Sequence, residues 1–200
     1  MIDAIIFDFG DVFINLDKQA TVDALQNLGL TEWDEELQQL NIQFETGRIS
    51  REKFIAGIQK HIPGGSSDAI LQAWSAILLD FPLYRLEFLQ MLSSKYRLFL
   101  LSNTDAIHIE TFEQKNGPSF YGDFYKCFEK VYFSFEIGMR KPNPEIYNFV
   151  LNEHDLQPKR TLFIDDKKEN TDAALSLGLQ VWNLQVGKED VVELFNKNII

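Results

Sequence analysis

Apolar residues in this chain come in short unbroken runs, and between the runs they recur at helical spacing. The runs span Asp3–Asp8, Arg97–Ser102, Lys130–Phe133, Thr161–Asp165 and Gln180–Leu184. Stretches such as Ala4-Ile5-Ile6-Phe7 and Leu162-Phe163-Ile164 do not alternate with polar residues, which predicts strands covered on both faces. Leu83, Leu86, Leu89 and Leu92 mark a helix before the second run, and Ile146, Phe149, Val150 and Leu151 mark one before the fourth. Ala173, Ala174 and Leu177 mark a third helix, with Gly178 at its C-terminal stop. Strands alternating with helices predict an α/β fold with a doubly wound parallel sheet.

One connection breaks this rhythm. Roughly 70 residues separate Val12 from the Leu83 helix, far more than a strand-to-helix loop requires. Apolar stripes recur within it at Val22, Leu25 and Leu28, then at Trp33, Leu37, Leu40 and Phe44. Further stripes fall at Phe54, Ile55 and Ile58, and at Ile70, Leu71, Trp74, Ile77 and Leu78. Thr31 with Asp34 reads as a capping box for the second segment, and Ser50 caps the third. Four amphipathic helices suffice for a small bundle. The reading is therefore an α/β core of residues 1–14 and 83–200, with a helical cap of residues 15–82 inserted after the first strand. Leaving at a strand end, the cap is expected to stand over the ligand crevice of the sheet.

Composition narrows the function. A formal net charge of −11 leaves no basic stripe, which argues against a nucleic-acid partner. It also requires that an anionic ligand be met by a metal or a few local cations. No run reaches the length of a membrane span, no basic and apolar leader is evident, and the single cysteine, Cys127, suits a reducing, cytoplasmic setting. Seventeen phenylalanines predict an aromatic core; the run Phe120-Tyr121-Gly122-Asp123-Phe124-Tyr125 is assigned to core packing and a turn. His61, His108 and His154 show no ligand spacing and are read as surface or structural residues.

Each predicted strand end carries polar chemistry. Asp8 follows the first strand and precedes Gly10, so it is a candidate nucleophile or metal ligand. The second ends Leu101-Ser102-Asn103-Thr104-Asp105, where a hydroxyl and backbone amides at a strand–helix junction suit a phosphate, or simply cap the next helix. Beyond the third stand Arg140 and Lys141, with Pro142 restricting the backbone beside the lysine. The fourth ends in Asp165-Asp166. One aspartate serves to cap a helix, whereas two adjacent carboxylates repel unless a cation joins them, and a hard cation such as Mg²⁺ takes such ligands.

These four motifs, in this order and with this insertion, resemble the haloacid dehalogenase superfamily, whose core is a Rossmann-like sheet. The likeness covers nearly the whole chain and is nearest to a bacterial branch that includes glucose-1-phosphate phosphatases. Phe7-Asp8-Phe9-Gly10-Asp11-Val12, Ser134 through Pro142, and Glu45-Thr46-Gly47-Arg48-Ile49-Ser50 carry it. The resemblance implies a Mg²⁺-dependent phosphatase for a small phosphorylated metabolite, a sugar phosphate such as a sugar 1-phosphate. It implies that Asp8 attacks phosphorus and forms an aspartyl-phosphate. Asp8, the Gly10 carbonyl and Asp166 would ligate Mg²⁺, with Asp165 acting through a water. Ser102 and the Asn103 amide would grip the phosphoryl group and Lys141 would neutralise it, while Glu45 and Arg48 of the cap would face the substrate.

The chain departs from that pattern at one position. Most phosphatases of the superfamily carry a second aspartate two residues after the nucleophile, as acid and base, and here that position is Gly10. Asp11 should point away from Asp8; Asp17 and Glu45 are the possible substitutes. A 2-haloacid dehalogenase also lacks the second aspartate, but lacks the paired acids of the fourth motif too. A low-turnover binding protein on the same fold is the other alternative.

Overall fold

The computed structural model describes residues 2–197 and 199–200. Five parallel strands form one sheet: β1 (Ala4–Phe7), β2 (Arg97–Ser102), β3 (Lys130–Phe133), β4 (Thr161–Asp165) and β5 (Gln180–Asn183), in the order β3-β2-β1-β4-β5. Successive side chains point to opposite faces of a strand. Ile5 and Phe7 of β1 therefore join one core with Leu98, Leu100, Leu162 and Ile164, while Ala4 and Ile6 join another with Phe99, Leu101 and Phe163. Both faces are covered by helices, and each fully buried Ile or Phe contributes about 1.5–3 kcal/mol. That double cover is why the strands read as unbroken apolar runs.

The helices of the core are α5 (Leu83–Ser93), α6 (Ala106–Tyr125), the single turn α7 (Ser134–Ile137), α8 (Pro144–Glu153) and α9 (Lys168–Ser176). Phenylalanine fills one face: Phe13 lies 5.2 Å from Phe7 and 5.5 Å from Phe124, and Phe9 meets Phe112 edge-on at 4.9 Å. Phe124 thus sits at the centre of the aromatic core, but the stretch around it is helical. The break in α6 falls earlier, at Gly117, whose φ of 78° only glycine adopts without strain, before Pro118. This kink is why no single apolar stripe announces α6 in the sequence.

Four helices make the cap: α1 (Lys18–Asn27), α2 (Glu35–Glu45), α3 (Arg51–His61) and α4 (Ser67–Ser75). They enclose their own core of Leu25, Leu37, Phe44, Phe54, Ile58 and Ile70, to which Ile107 of α6 is added. Asp34 itself caps α2, its carboxylate accepting from the Leu37 amide at 2.9 Å. The Thr31–Asp34 box expected from the sequence does not form: the helix begins at Glu35, so Asp34 is its N-cap, and Leu37, three residues on, has no acid to complete a box. The two chain crossings between cap and core run side by side. Leu16 bridges Leu78, Asn15 and Asp80 bond through N–H and carbonyl at 2.9 Å, and Asp17 N–H donates to the Ile77 carbonyl at 2.8 Å.

Candidate active site

The strand order reverses between β1 and β4, and a doubly wound sheet leaves its ligand crevice at such a point. Asp8 continues β1 into that crevice, its amide donating to the Ile164 carbonyl at 2.9 Å. A tight turn follows, in which the Phe13 amide returns to the Phe9 carbonyl at 2.9 Å. A cleft of about 240 Å³ opens here, lined by Asp8, Gly10, Ser102, Asn103, Lys141, Asp166 and Asn170, and by Glu45 and Leu78 from the cap side. The ends of β1, β2 and β4 and the loop after β3 thus converge on one space.

Lys141 is fully buried, and its ammonium lies 2.9 Å from Asp8 Oδ1 and 2.6 Å from Asp165 Oδ2. Two neighbours hold it there. The Asn103 side chain accepts from the Lys141 amide at 2.9 Å and donates to its carbonyl at 2.8 Å, so a side chain after β2 fixes the loop after β3. Asp165 accepts from the Lys167 amide at 2.8 Å and from Asn170 Nδ2 at 2.9 Å, so its own rotamer is locked. Burial raises the Asp8 carboxyl, Lys141 lowers it, and Asp165 and Asp166 raise it again; it is pushed up to about 7. Burial works against the Lys141 ammonium too, but Asp165 and Asp8 outweigh burial and raise its pKa.

Asp8, Asp165 and Asp166 each bring a carboxylate oxygen within 4.8 Å of the others. At that separation each pair repels by about 3 kcal/mol at an effective dielectric constant of 20. Counting Asp11, which shares the Lys18 ammonium with Asp166, four carboxylates stand against the Lys141 and Lys18 ammoniums and leave two negative charges, which one divalent cation cancels. A further acceptor is provided by Asn170. Its Nδ2 serves Asp165, while its Oδ1 is buried and has no partner. An orphaned oxygen beside hard carboxylate ligands suits the hydration shell of a cation that keeps its waters. The donor set therefore fits Mg²⁺: Asp8 and Asp166 each give one carboxylate oxygen to a lysine and keep the other to ligate directly, while Asp165 is engaged by Lys141 and Asn170.

Around this centre, the structure separates the remaining residues. Asp11 sits at φ 57°, a conformation aspartate tolerates better than most residues. Its carboxylate accepts from the Leu16 amide at 3.1 Å and pairs at 2.8 Å with Lys18, the same ammonium that lies 3.2 Å from Asp166. Asp17 caps α1, accepting from the Gln19 and Ala20 amides at 3.0 Å each. Glu45 reaches the cleft but pairs with Arg140 at 3.2 Å, so Arg140 is a cap contact rather than a free cation. Arg48 is exposed and does not line the cleft. Three residues gain a place that sequence reading missed. Lys18 lies 3.2 Å from Asp166, Asn170 completes the Asp165 network, and His108 lines the cleft instead of lying apart from it.

This fold and this arrangement of strand ends define a hydrolase of the haloacid dehalogenase-like family, to which the chain belongs: the family matches residues 2–178. Among individual relatives, D-ribitol-5-phosphate phosphatase of Bacteroides thetaiotaomicron is 28% identical, covering 94% of this chain and 95% of its own length. A haloacid dehalogenase family enzyme from the same organism, crystallised with magnesium and inorganic phosphate, superposes with a TM-score of 0.87 at 35% identity, over 98% of this chain and 100% of that one. A predicted family hydrolase from Porphyromonas gingivalis gives 0.87 at 27% identity, over 100% and 99%.

Proposed function

We propose that the protein is a Mg²⁺-dependent phosphatase of small sugar or sugar-alcohol phosphates, acting through an aspartyl-phosphate on Asp8. The observation that carries this reading is the Lys141 ammonium pinned between Asp8 and Asp165, with Asp166 and Ser102 facing the same cleft. The related D-ribitol-5-phosphate phosphatase and the magnesium- and phosphate-bound relative support it. The cleft volume of about 240 Å³ supports a small substrate, since drug-sized ligands occupy about 300–1,000 Å³. The lone buried thiol of Cys127 accords with a reducing, cytoplasmic setting.

In the first step an Asp8 oxygen forms a bond to phosphorus while the bond from phosphorus to the ester oxygen breaks, and the departing oxygen takes its proton from water. In the second, water attacks the aspartyl-phosphate, and Asp8 and inorganic phosphate are released. Lys141 offsets negative charge on Asp8 and the transferred group, and Asn103 and Asp165 hold it in place. Ser102 offers a hydroxyl to the phosphoryl oxygens. Mg²⁺ held by Asp8 and Asp166 would screen the remaining charge and orient the phosphoryl group. Gly10 has no side chain to protonate the departing oxygen, so the basicity of the leaving group governs the first step. Within the sugar phosphates, we place sugar 1-phosphates ahead of primary alkyl phosphates, because an anomeric oxygen leaves more readily.

A phosphate-release screen over sugar phosphates, pentitol phosphates and nucleotides tests this, with and without Mg²⁺ and with Asp8→Asn as the blank. Release above the blank that is lost on chelation is expected. Release equal to the blank on every substrate overturns the phosphatase reading, and equal rates for anomeric and primary phosphates overturn the preference.

A further inference from the structure

His108 sits in the first turn of α6, between cap and core. Its Nδ1 lies 2.9 Å from Asp105 Oδ2, and its Nε2 lies 3.0 Å from the Trp74 carbonyl oxygen. Both partners are acceptors. A neutral imidazole carries one N–H and satisfies only one of them, leaving a ring lone pair against an oxygen in a buried place. The geometry therefore calls for both nitrogens to be protonated.

The surroundings are built for that cation. Asp105 is 1% exposed and caps α6, accepting at Oδ1 from the Ile107 and His108 amides at 2.8 and 3.0 Å. Its Oδ2 also receives Trp74 Nε1 at 3.0 Å. The Trp74 carbonyl lies in the last turn of α4, where a helix runs out of its own amide donors and favours a positive charge. The α4 helix has no basic residue in that turn; His108 arrives from another helix to fill the place. Thr21 of α1 donates to the same carbonyl at 3.2 Å, and the Glu45 carboxylate of α2 adds negative potential. The imidazole ring stacks on Trp74 at 5.2 Å and 9°, and Trp33 stacks on the indole's neighbourhood at 5.8 Å and 16°. Burial alone would lower His108 and raise Asp105, but their mutual attraction reverses both.

We propose that His108 is an imidazolium latch that joins the C-terminal end of α4 in the cap to the N-terminal end of α6 in the core. Both ends border the cleft, α4 through the following Ile77 and Leu78, α6 through Ile109. The latch sets the width of the space beside Asp8 that the leaving group occupies. His108 is thus a positioning residue for substrate, a role that rests on the phosphatase reading, while the latch itself does not.

Histidine ¹⁵N NMR of the wild-type protein tests the latch directly. Both His108 nitrogens should stay protonated to a higher pH than those of a free histidine, and amide hydrogen exchange at the end of α4 should quicken as they deprotonate. His108→Gln should show that faster exchange at every pH. With a turned-over substrate, its KM should rise about tenfold, the loss of one charge-assisted bond, with kcat falling less than KM rises. The rise of wild-type KM with pH should track the NMR titration and vanish in His108→Gln. A His108 that deprotonates no later than a free histidine, or wild-type exchange in His108→Gln, overturns the latch. Wild-type KM and pH dependence in the variant overturn the positioning role. If no substrate turns over above the Asp8→Asn blank, the phosphatase reading fails, and NMR and exchange alone decide the latch.

Discussion

Lys141 touches both Asp8 and Asp165, so replacing it strands two buried carboxylates at once. Lys141→Met should lower stability by about 3–5 kcal/mol, the usual cost of breaking a buried pair, and this is measurable by urea denaturation. Adding Mg²⁺ should recover part of the loss, because a cation replaces some of the missing charge. Gly10 poses a different question. A Cβ built there would lie 2.7 Å from Leu16 Cδ1, so the leucine occupies the space an acid at this position would enter. Gly10→Asp combined with Leu16→Ala should raise the rate on primary alkyl phosphates by about 10²-fold, while anomeric phosphates gain less. Equal gains across leaving-group pKa would show that the new carboxylate does not act as the acid.

At the scale of elements, the cap is held by its hinge and by close contacts at its rim. Gly47 follows α2 at φ 65°, and a methyl group there would collide with the carbonyl oxygen of Phe135 in α7. Backbone meets backbone at this point, and no flexible side chain can yield. Gly47→Ala should cost about 1–3 kcal/mol in thermal unfolding, combining overpacking with the strain of a left-handed residue. It should also raise KM, since α2 carries Glu45 into the cleft. Core strands should keep their hydrogen-exchange protection in this variant, because the cap encloses its own hydrophobic cluster.

For the molecule as a whole, a net charge of −11 and a cleft of three carboxylates make the metal-free state sensitive to pH. Asp8 moves from an ordinary value of 3.8 up to about 7 in the fold. The native state therefore holds this proton more tightly than the unfolded chain. Folding stability carried by Asp8 falls as pH rises from about 4 to about 7, and the full penalty persists above that. Asparagine carries no such penalty. In thermal melts without metal, Asp8→Asn should match the wild type near pH 4 and exceed it increasingly up to about pH 7. Mg²⁺ should raise the wild-type midpoint most at the upper end of this range and the variant's far less. A constant difference between the two proteins across pH would contradict the Asp8 assignment.

Local sequence determined the strands and most helices, because sheet burial and helix amphipathicity imprint a period on neighbouring residues. It also marked Asp8, Ser102, Lys141 and Asp165-Asp166, since polar residues after apolar strands stand out against their flanks. The tertiary structure decided which of these meet, and through whom. The Asn103 side chain is spent on the Lys141 backbone, Arg140 on Glu45, and Asp17 on a helix cap, while Arg48 stays outside the cleft. His108, Lys18 and Asn170 enter the site through partners distant along the chain or across a helical turn, with no periodic mark of their own. Hydrophobic periodicity is a local property of the chain, whereas hydrogen-bond and charge partners are chosen by proximity in space, which exists only once the cap has closed on the core.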